Sequence, residues 1–280
     1  MLRRTFLPIL AAASAPARDR LEGFFEGVRG AALLVDATAR RPLAEHAPDL
    51  TFRLLVPPGS LVKPFAVAAL LEAGKLRAAE TFLCPGALSI GGRNLTCSHP
   101  PGLPPMNARA AIAYSCNCFV AHFAARFEPG ELARSLGRYG MLSRSAWVEG
   151  EVAGETRAGD VRLQALGEAG LLVTPAGVAL AYTRLAAVLR RASMAPVAGG
   201  LEDAVEFGTA QRARVPGVRV AGKTGSVRAD DGAHLAWFAG FAPSPAPRYV
   251  VVVMLQGRSG GADAAPIAGR ILEAACRGQW

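Results

Sequence analysis

Strand-forming stretches sit at both ends of this chain, and that placement constrains the fold more than any other feature. Ala31 to Asp36 is a short apolar run, Ala39 to Pro42 reads as a turn, and Leu43 to His46 can return as the second strand of a hairpin. Far downstream, Val218-Arg219-Val220 alternates as a half-buried strand does, Leu235 to Phe241 is a further strand, and Tyr249 to Leu255 is a continuous apolar run suited to a strand covered on both faces. The residues between are mainly helical in pattern. Over 60–73 the positions Val62, Phe65, Ala66, Ala69 and Leu70 form a stripe, and Gly74 sits where a C′ glycine belongs. Residues 84–106, rich in Gly, Pro and Cys, read as a long loop. Asn107 can cap a helix that starts at Ala108 and runs through Ala125, with further helical patterns at 130–139, 176–192 and 263–276. One sheet built from both ends, with the helical stretch inserted, is the economical assembly.

The composition fits a single globular unit over residues 18–280: the chain is 51% hydrophobic and 19% charged, which excludes global disorder. The formal net charge is +9, yet only three of the 31 basic residues are Lys. The Arg residues are scattered or paired, no basic run reaches five, and aromatic residues do not interleave with them. This is a solvated basic surface, suited to anionic envelope polymers or lipid head groups, and it argues against nucleic acid as a partner. Residues 1–17 read as an export signal. Arg3-Arg4 supplies the charged region, Thr5 to Ala13 the short apolar one, and Ala13-Ser14-Ala15 or Ala15-Pro16-Ala17 the cleavage pattern; Arg3-Arg4-Thr5-Phe6-Leu7 also fits a twin-arginine core. Export places the mature chain in the periplasm or cell envelope.

The five cysteines are Cys84, Cys97, Cys116, Cys118 and Cys276. In an exported chain Cys84 and Cys97 can close a short disulfide loop. Zinc held by Cys84, Cys97, His99 and one more ligand is the alternative, set second because paired C-x-x-C spacing is absent. Cys116 and Cys118 are two apart, do not face each other on a helix, and read as free thiols.

Three motifs carry chemistry. Ser60-Leu61-Val62-Lys63 is S-x-x-K, whose first and last residues share a helix face. A serine hydroxyl needs a base, and Lys serves only if its pKa falls from ~10.4. Reaching about 7 costs roughly 4–5 kcal/mol, for which the helix dipole and a second nearby cation are the two sources in the sequence. Ser115-Cys116-Asn117 is S-x-N, a hydroxyl able to relay a proton and an amide able to bind a peptide carbonyl. Lys223-Thr224-Gly225, then Ser226, offers the second cation, a hydroxyl, and a glycine that lets a ligand approach the backbone. Two of the three lysines occupy motif positions while Arg serves nearly everywhere else. Arg cannot act as a base, so lysine stands where titratable chemistry needs it.

With these motifs in order, the sequence resembles the transpeptidase domain of the class B penicillin-binding proteins, within the penicillin-binding and serine β-lactamase superfamily. Pro58-Gly59-Ser60 with Lys63-Pro64, Cys84-Pro85-Gly86, Leu172-Val173-Thr174-Pro175, Gly208-Thr209-Ala210, Ala221 to Gly225, and Trp237 to Pro243 extend the resemblance from about Ala31 to Leu255. It implies an antiparallel five-stranded sheet flanked by helices, with an inserted mainly helical lobe. It implies Ser60 as nucleophile, Lys63 as base, Ser115 as relay, and substrate contacts from Asn117, Lys223, Thr224, Gly225 and Ser226. Backbone N–H groups of Ser60 and Ser226 would form the oxyanion hole, and no metal or organic cofactor is required. The implied partners are D-Ala-D-Ala stem peptides, β-lactams, and an enzyme of glycan strands or a membrane protein. Glu168-Ala169 stands where the family usually has Gln-Gly, and Ser226 where Thr is commoner. The alternatives to a DD-transpeptidase are a DD-carboxypeptidase, an endopeptidase, a class D-like β-lactamase, and a non-catalytic β-lactam sensor. Two other motif matches are weaker. Gly217 to Thr224 fits a P-loop, but its middle alternates like a strand and a turn follows where a helix is needed. Gly257-Arg258-Ser259-Gly260-Gly261 fits a nucleophile elbow, but no His follows Ser259.

Overall fold

The computed structural model describes residues 20–229 and 231–280. The export signal expected at 1–17 therefore lies outside the described residues.

In chain order, the sheet opens with β1 (Gly30–Asp36) and β2 (Arg41–His46), followed by the short helix α1 (Pro48–Arg53). A 3-10 turn, Gly59–Val62, leads into α2 (Lys63–Glu72). A small hairpin, β3 (Ala87–Ile90) and β4 (Arg93–Thr96), interrupts the segment expected to be a loop. Then come α3 (Ala108–Ala113), α4 (Asn117–Ala124), α5 (Glu131–Tyr139), β5 (Glu155–Thr156), α6 (Val161–Leu166), β6 (Leu171–Leu172), α7 (Pro175–Val188) and α8 (Ala195–Glu206). The chain closes with β7 (Ala221–Arg228), β8 (His234–Ala242), β9 (Tyr249–Gln256) and α9 (Ala265–Cys276).

The five-stranded sheet runs β2-β1-β9-β8-β7, antiparallel throughout, with the last strand pairing against the first. The pleat sorts its side chains into two cores. Leu33, Val35, Val250 and Val252 face the helical lobe, where they join Phe65, Leu70, Val178 and Tyr182. Ala32, Leu34, Val251 and Val253 face α9, where they meet Ile271 and Leu272. The continuous apolar run at 249–255 is thus the central strand, buried on both sides. Among the described residues no helix is long and apolar enough to cross a membrane.

Two boundaries differ from the sequence reading. The alternating residues 218–220 precede β7 rather than form it, so Lys223-Thr224-Gly225 lies inside the strand. This also removes the P-loop: Lys223 and Thr224 are buried mid-strand, and the strand β8 follows. The helix expected to run from Ala108 through Ala125 breaks at Tyr114–Cys116, where Ser115 takes a left-handed φ of +56°.

Candidate active site

Three short segments meet at the inner end of β7, and each is held there by local chemistry. The segment carrying Ser60 cannot be regular helix from its start, because Pro57 and Pro58 lack backbone donors and Gly59 takes a φ of +54°. Buried Tyr182 donates from its hydroxyl to the carbonyl of Leu61 at 3.1 Å and pins the turn from below. The Ser115 segment is set by two helix ends. Asn107 caps α3 as expected, accepting from the amide of Ala110 at 3.0 Å, while Cys116 caps α4 through its sulfur. The third segment is β7 itself.

The space above Gly225 is filled by the protein. A Cβ there would lie 2.9 Å from the carbonyl oxygen of Pro58 and 3.2 Å from Leu61. The glycine of Lys-Thr-Gly lets β7 press against the Ser60 turn. Gly167 makes a still closer contact, with its Cβ position 2.0 Å from the carbonyl oxygen of Gly59.

Ser60, Ser115, Asn117, Thr224 and Ser226 all line one cavity of about 640 Å³, and Lys63 and Lys223 lie buried beside it. The lysines converge on one hydroxyl. Lys63 Nζ donates to the carbonyl of Ser115 at 2.7 Å and to Asn117 Oδ1 at 2.5 Å, and lies 3.2 Å from Ser115 Oγ. Lys223 Nζ reaches the same Oγ at 2.8 Å and donates to the carbonyl of Thr224 at 2.9 Å. Asn117 turns its Nδ2 to the carbonyl of Thr96 at 2.8 Å.

Burial lowers the Lys63 pKa to about 8, against a smaller upward pull from the nearby thiols of Cys116, Cys97 and Cys118 and the carboxyl of Glu168. Burial also pushes Lys223 well below its ordinary value, and the charge of Lys63 adds to this. Desolvation, which the sequence did not reveal, is therefore the main source of the shift. The fall from 10.5 to about 8 corresponds to about 3 kcal/mol favouring the neutral amine.

Several residues in the cavity carried no assigned role. Asn94, Thr96 and Ser98 come from the unforeseen hairpin and the segment after it. Thr209 accepts from the hydroxyl of Thr224 at 2.8 Å. Glu168 follows the C-terminal glycine of α6 and lines the cavity with its carboxyl pKa raised by burial, an effect opposed by Lys63 and Arg93. Ser259 also lines the cavity, but its hydroxyl accepts the amide of Ala262 at 3.2 Å as a helix cap. Next to it, Gly260 donates its amide to Ser226 Oγ at 3.0 Å.

Cys116 and Cys118 are free thiols as expected, but the disulfide expected between Cys84 and Cys97 is not formed. Cys84 and Cys97 are free thiols with sulfurs 3.6 Å apart, where a disulfide needs ~2.05 Å. Cys116 and Cys118 both turn toward Cys97, at 3.8 and 3.6 Å. They converge because Cys116 precedes α4 in extended backbone, so the spacing of two residues does not carry helical angles.

Residues 30–273 match the family model of the penicillin binding protein transpeptidase domain. The chain belongs to this family. Among curated penicillin-binding relatives, it is 29% identical to the peptidoglycan D,D-transpeptidase PbpA of Mycobacterium tuberculosis, over 85% of this chain and 58% of that protein. It is 27% identical to the probable peptidoglycan D,D-transpeptidase PenA of Neisseria flavescens, over 76% of this chain and 62% of that one. The chain thus spans about three-fifths of the length of these relatives. A solved peptidoglycan glycosyltransferase from Burkholderia ambifaria superposes with a TM-score of 0.81 at 25% identity, covering 92% of this chain and 93% of the other. The TP domain of Burkholderia pseudomallei penicillin-binding protein 3 gives 0.81 at 23% identity, covering 92% of each, a likeness of fold. The five-stranded antiparallel sheet with its inserted helical lobe is the transpeptidase-domain fold of this family.

Proposed function

We propose that this chain is a serine DD-transpeptidase acting on D-Ala-D-Ala stem peptides, and that it binds penicillin covalently at Ser60. The observation that carries the reading is the convergence of two buried lysines on Ser115 Oγ beside the cavity that Ser60 lines. Neutral Lys63 has a lone pair to accept the Ser60 proton as Oγ attacks the carbonyl of the penultimate D-Ala. The oxyanion rests on the backbone N–H groups of Ser60 and Ser226. As the C–N bond breaks, the departing D-Ala amine takes its proton through Ser115 Oγ. The acyl-enzyme then passes to an amine of a second stem peptide, which closes the cross-link. Asn117 Nδ2 and the backbone of β7 hold the peptide, as an added strand on the sheet edge is held. Lys223 and Thr224 take the terminal carboxylate. That carboxylate favours the charged form of Lys223, which in turn favours neutral Lys63, so substrate arrival prepares the base. Export to the envelope, read from residues 1–17, belongs to the same proposal. Incubation with a fluorescent penicillin followed by intact-mass analysis tests it. One adduct is expected on the native chain and none on Ser60→Ala; an adduct surviving in Ser60→Ala overturns the reading.

Hydrolysis is the second reading, as a carboxypeptidase or β-lactamase, and Glu168 favours it. This carboxyl lines the cavity where the resembled family usually carries Gln, and a carboxylate can take a proton from water where an amide cannot. Glu168→Gln should then prolong the life of the penicillin adduct at least tenfold, while its formation should be no slower, because the variant loses the upward pull of this carboxyl on the Lys63 pKa. Equal adduct lifetimes in the two proteins would remove hydrolysis from the account.

A further inference from the structure

We infer that this chain binds one zinc ion beside the S-x-N segment, through Cys84, Cys97, Cys116 and His99. The sulfur and nitrogen ligand atoms of these four residues all lie within 4.8 Å of one another. A tetrahedral site with Zn–S bonds of about 2.3 Å spaces its sulfurs about 3.8 Å apart. Cys97 Sγ lies 3.6 Å from Cys84 Sγ and 3.8 Å from Cys116 Sγ, which is that edge length.

The imidazole gives independent support. His99 Nε2 is buried and has no hydrogen-bond partner, whereas Nδ1 lies 3.0 Å from the carbonyl oxygen of Pro100. With the proton on Nδ1, donated to that carbonyl, Nε2 keeps a lone pair for a metal ion. An outer backbone carbonyl that fixes the tautomer in this way is the usual support of a ligating histidine. Three thiolates and an imidazole in tetrahedral spacing suit zinc rather than magnesium or calcium, which take oxygen ligands. Cys118 Sγ lies 3.6 Å from Cys97 Sγ but is not among the four mutually close atoms, so it stands beside the site. Binding releases three thiol protons and changes no oxidation state.

The ion would tie together segments far apart in the chain, adding to the hydrogen bond from Asn117 to Thr96. Cys84 precedes the β3–β4 hairpin, Cys97 and His99 follow it, and Cys116 sits between Ser115 and Asn117. It would hold the left-handed Ser115 and keep the Asn117 amide over Thr96. An effect on acylation rests on the function proposed above, so the primary test reads the metal.

The full chain, purified under reducing conditions with zinc and then dialysed, should carry one zinc per chain by elemental analysis. Exchange with cobalt(II) should give the intense visible bands of a tetrahedral ion and a sulfur-to-cobalt charge-transfer band. Cys97→Ser and Cys116→Ser should lose both, His99→Ala should weaken cobalt binding tenfold or more, and Cys118→Ser should keep the spectrum. Because a cysteine variant can fail to fold, the native protein decides first. Less than stoichiometric metal, or an octahedral cobalt spectrum, overturns the site. Loss of the spectrum in Cys118→Ser with His99→Ala unaffected overturns this ligand set. Penicillin labelling that persists after chelation would leave the metal assignment standing and refute only its support of the S-x-N segment.

Discussion

At the scale of single residues, the proposed mechanism turns on which lysine gives up its proton. Lys63 at about 8 is half neutral near that pH, and only the neutral form can accept the Ser60 proton. Acylation should therefore rise about tenfold per pH unit below 8 and level off above it, the sign expected of a base that must be unprotonated. Arg keeps charge but accepts no proton, so Lys63→Arg should be nearly as slow as Lys63→Ala, each down 100-fold or more. Lys223→Arg should retain part of what Lys223→Ala loses, and Lys223→Ala should move the pH limb upward by removing the neighbouring cation that a bound carboxylate maintains at Lys223. Penicillin acylation rates measured across pH decide this, and a Lys63→Arg protein that reacts at the native rate would remove Lys63 as the base. The positions of Ser60, Lys63 and Lys223 are legible in the sequence because scarce lysine marks them. Their burial is not, because it comes from β7, α7 and the Ser60 turn closing on one another across the chain. Glu168 was visible only as a departure from a family pattern, and its place in the cavity depends on the turn after α6.

At the scale of elements, most of the secondary structure could be read and the small hairpin could not. Residues 249–255 announce a buried central strand by their unbroken Val run, and Asn107 announces its cap. The β3–β4 strands are four residues each, and the sheet positions they offer are largely exposed, so no apolar alternation marks them. The break between α3 and α4 was hidden for a related reason: its apolar flanks continue the helical stripe on both sides. A close contact between elements yields a sharp prediction. Gly167 ends α6 at a φ of +71°, against the backbone of Gly59. Gly167→Ala adds both the left-handed penalty and an overlap that only backbone movement relieves, and should cost about 3 kcal/mol. Urea unfolding measures it. The Ser60 turn moves with Gly59, so penicillin labelling of the folded variant should slow as well.

For the whole molecule, the sheet and the helical lobe share one core, so they should unfold together. Val252 is fully buried on the lobe side of β9, and Val252→Ala should cost about 2 kcal/mol. Fluorescence of Trp237, in a chain with Trp147 and Trp280 replaced by Phe, reports the sheet, and circular dichroism at helical wavelengths reports the lobe. Both midpoints should shift down together. Separate midpoints would show that the lobe stands alone. The strand order was reachable from the sequence only through the family resemblance, because β1 and β9 are joined by nothing local.

The pairing of β1 with β9 also sets a timetable. A ribosome releases the segment with Ser60 and Lys63 early, and β1 then has only β2 beside it. Its other edge waits until residues 249–256 have been made, by which time Lys223 has emerged on β7. Until then the Ser60 turn lacks the strand it packs against and Ser115 lacks its second lysine. On the proposed mechanism a half-made chain therefore carries its serine without the means to use it, and reactivity should come only once β9 has been made.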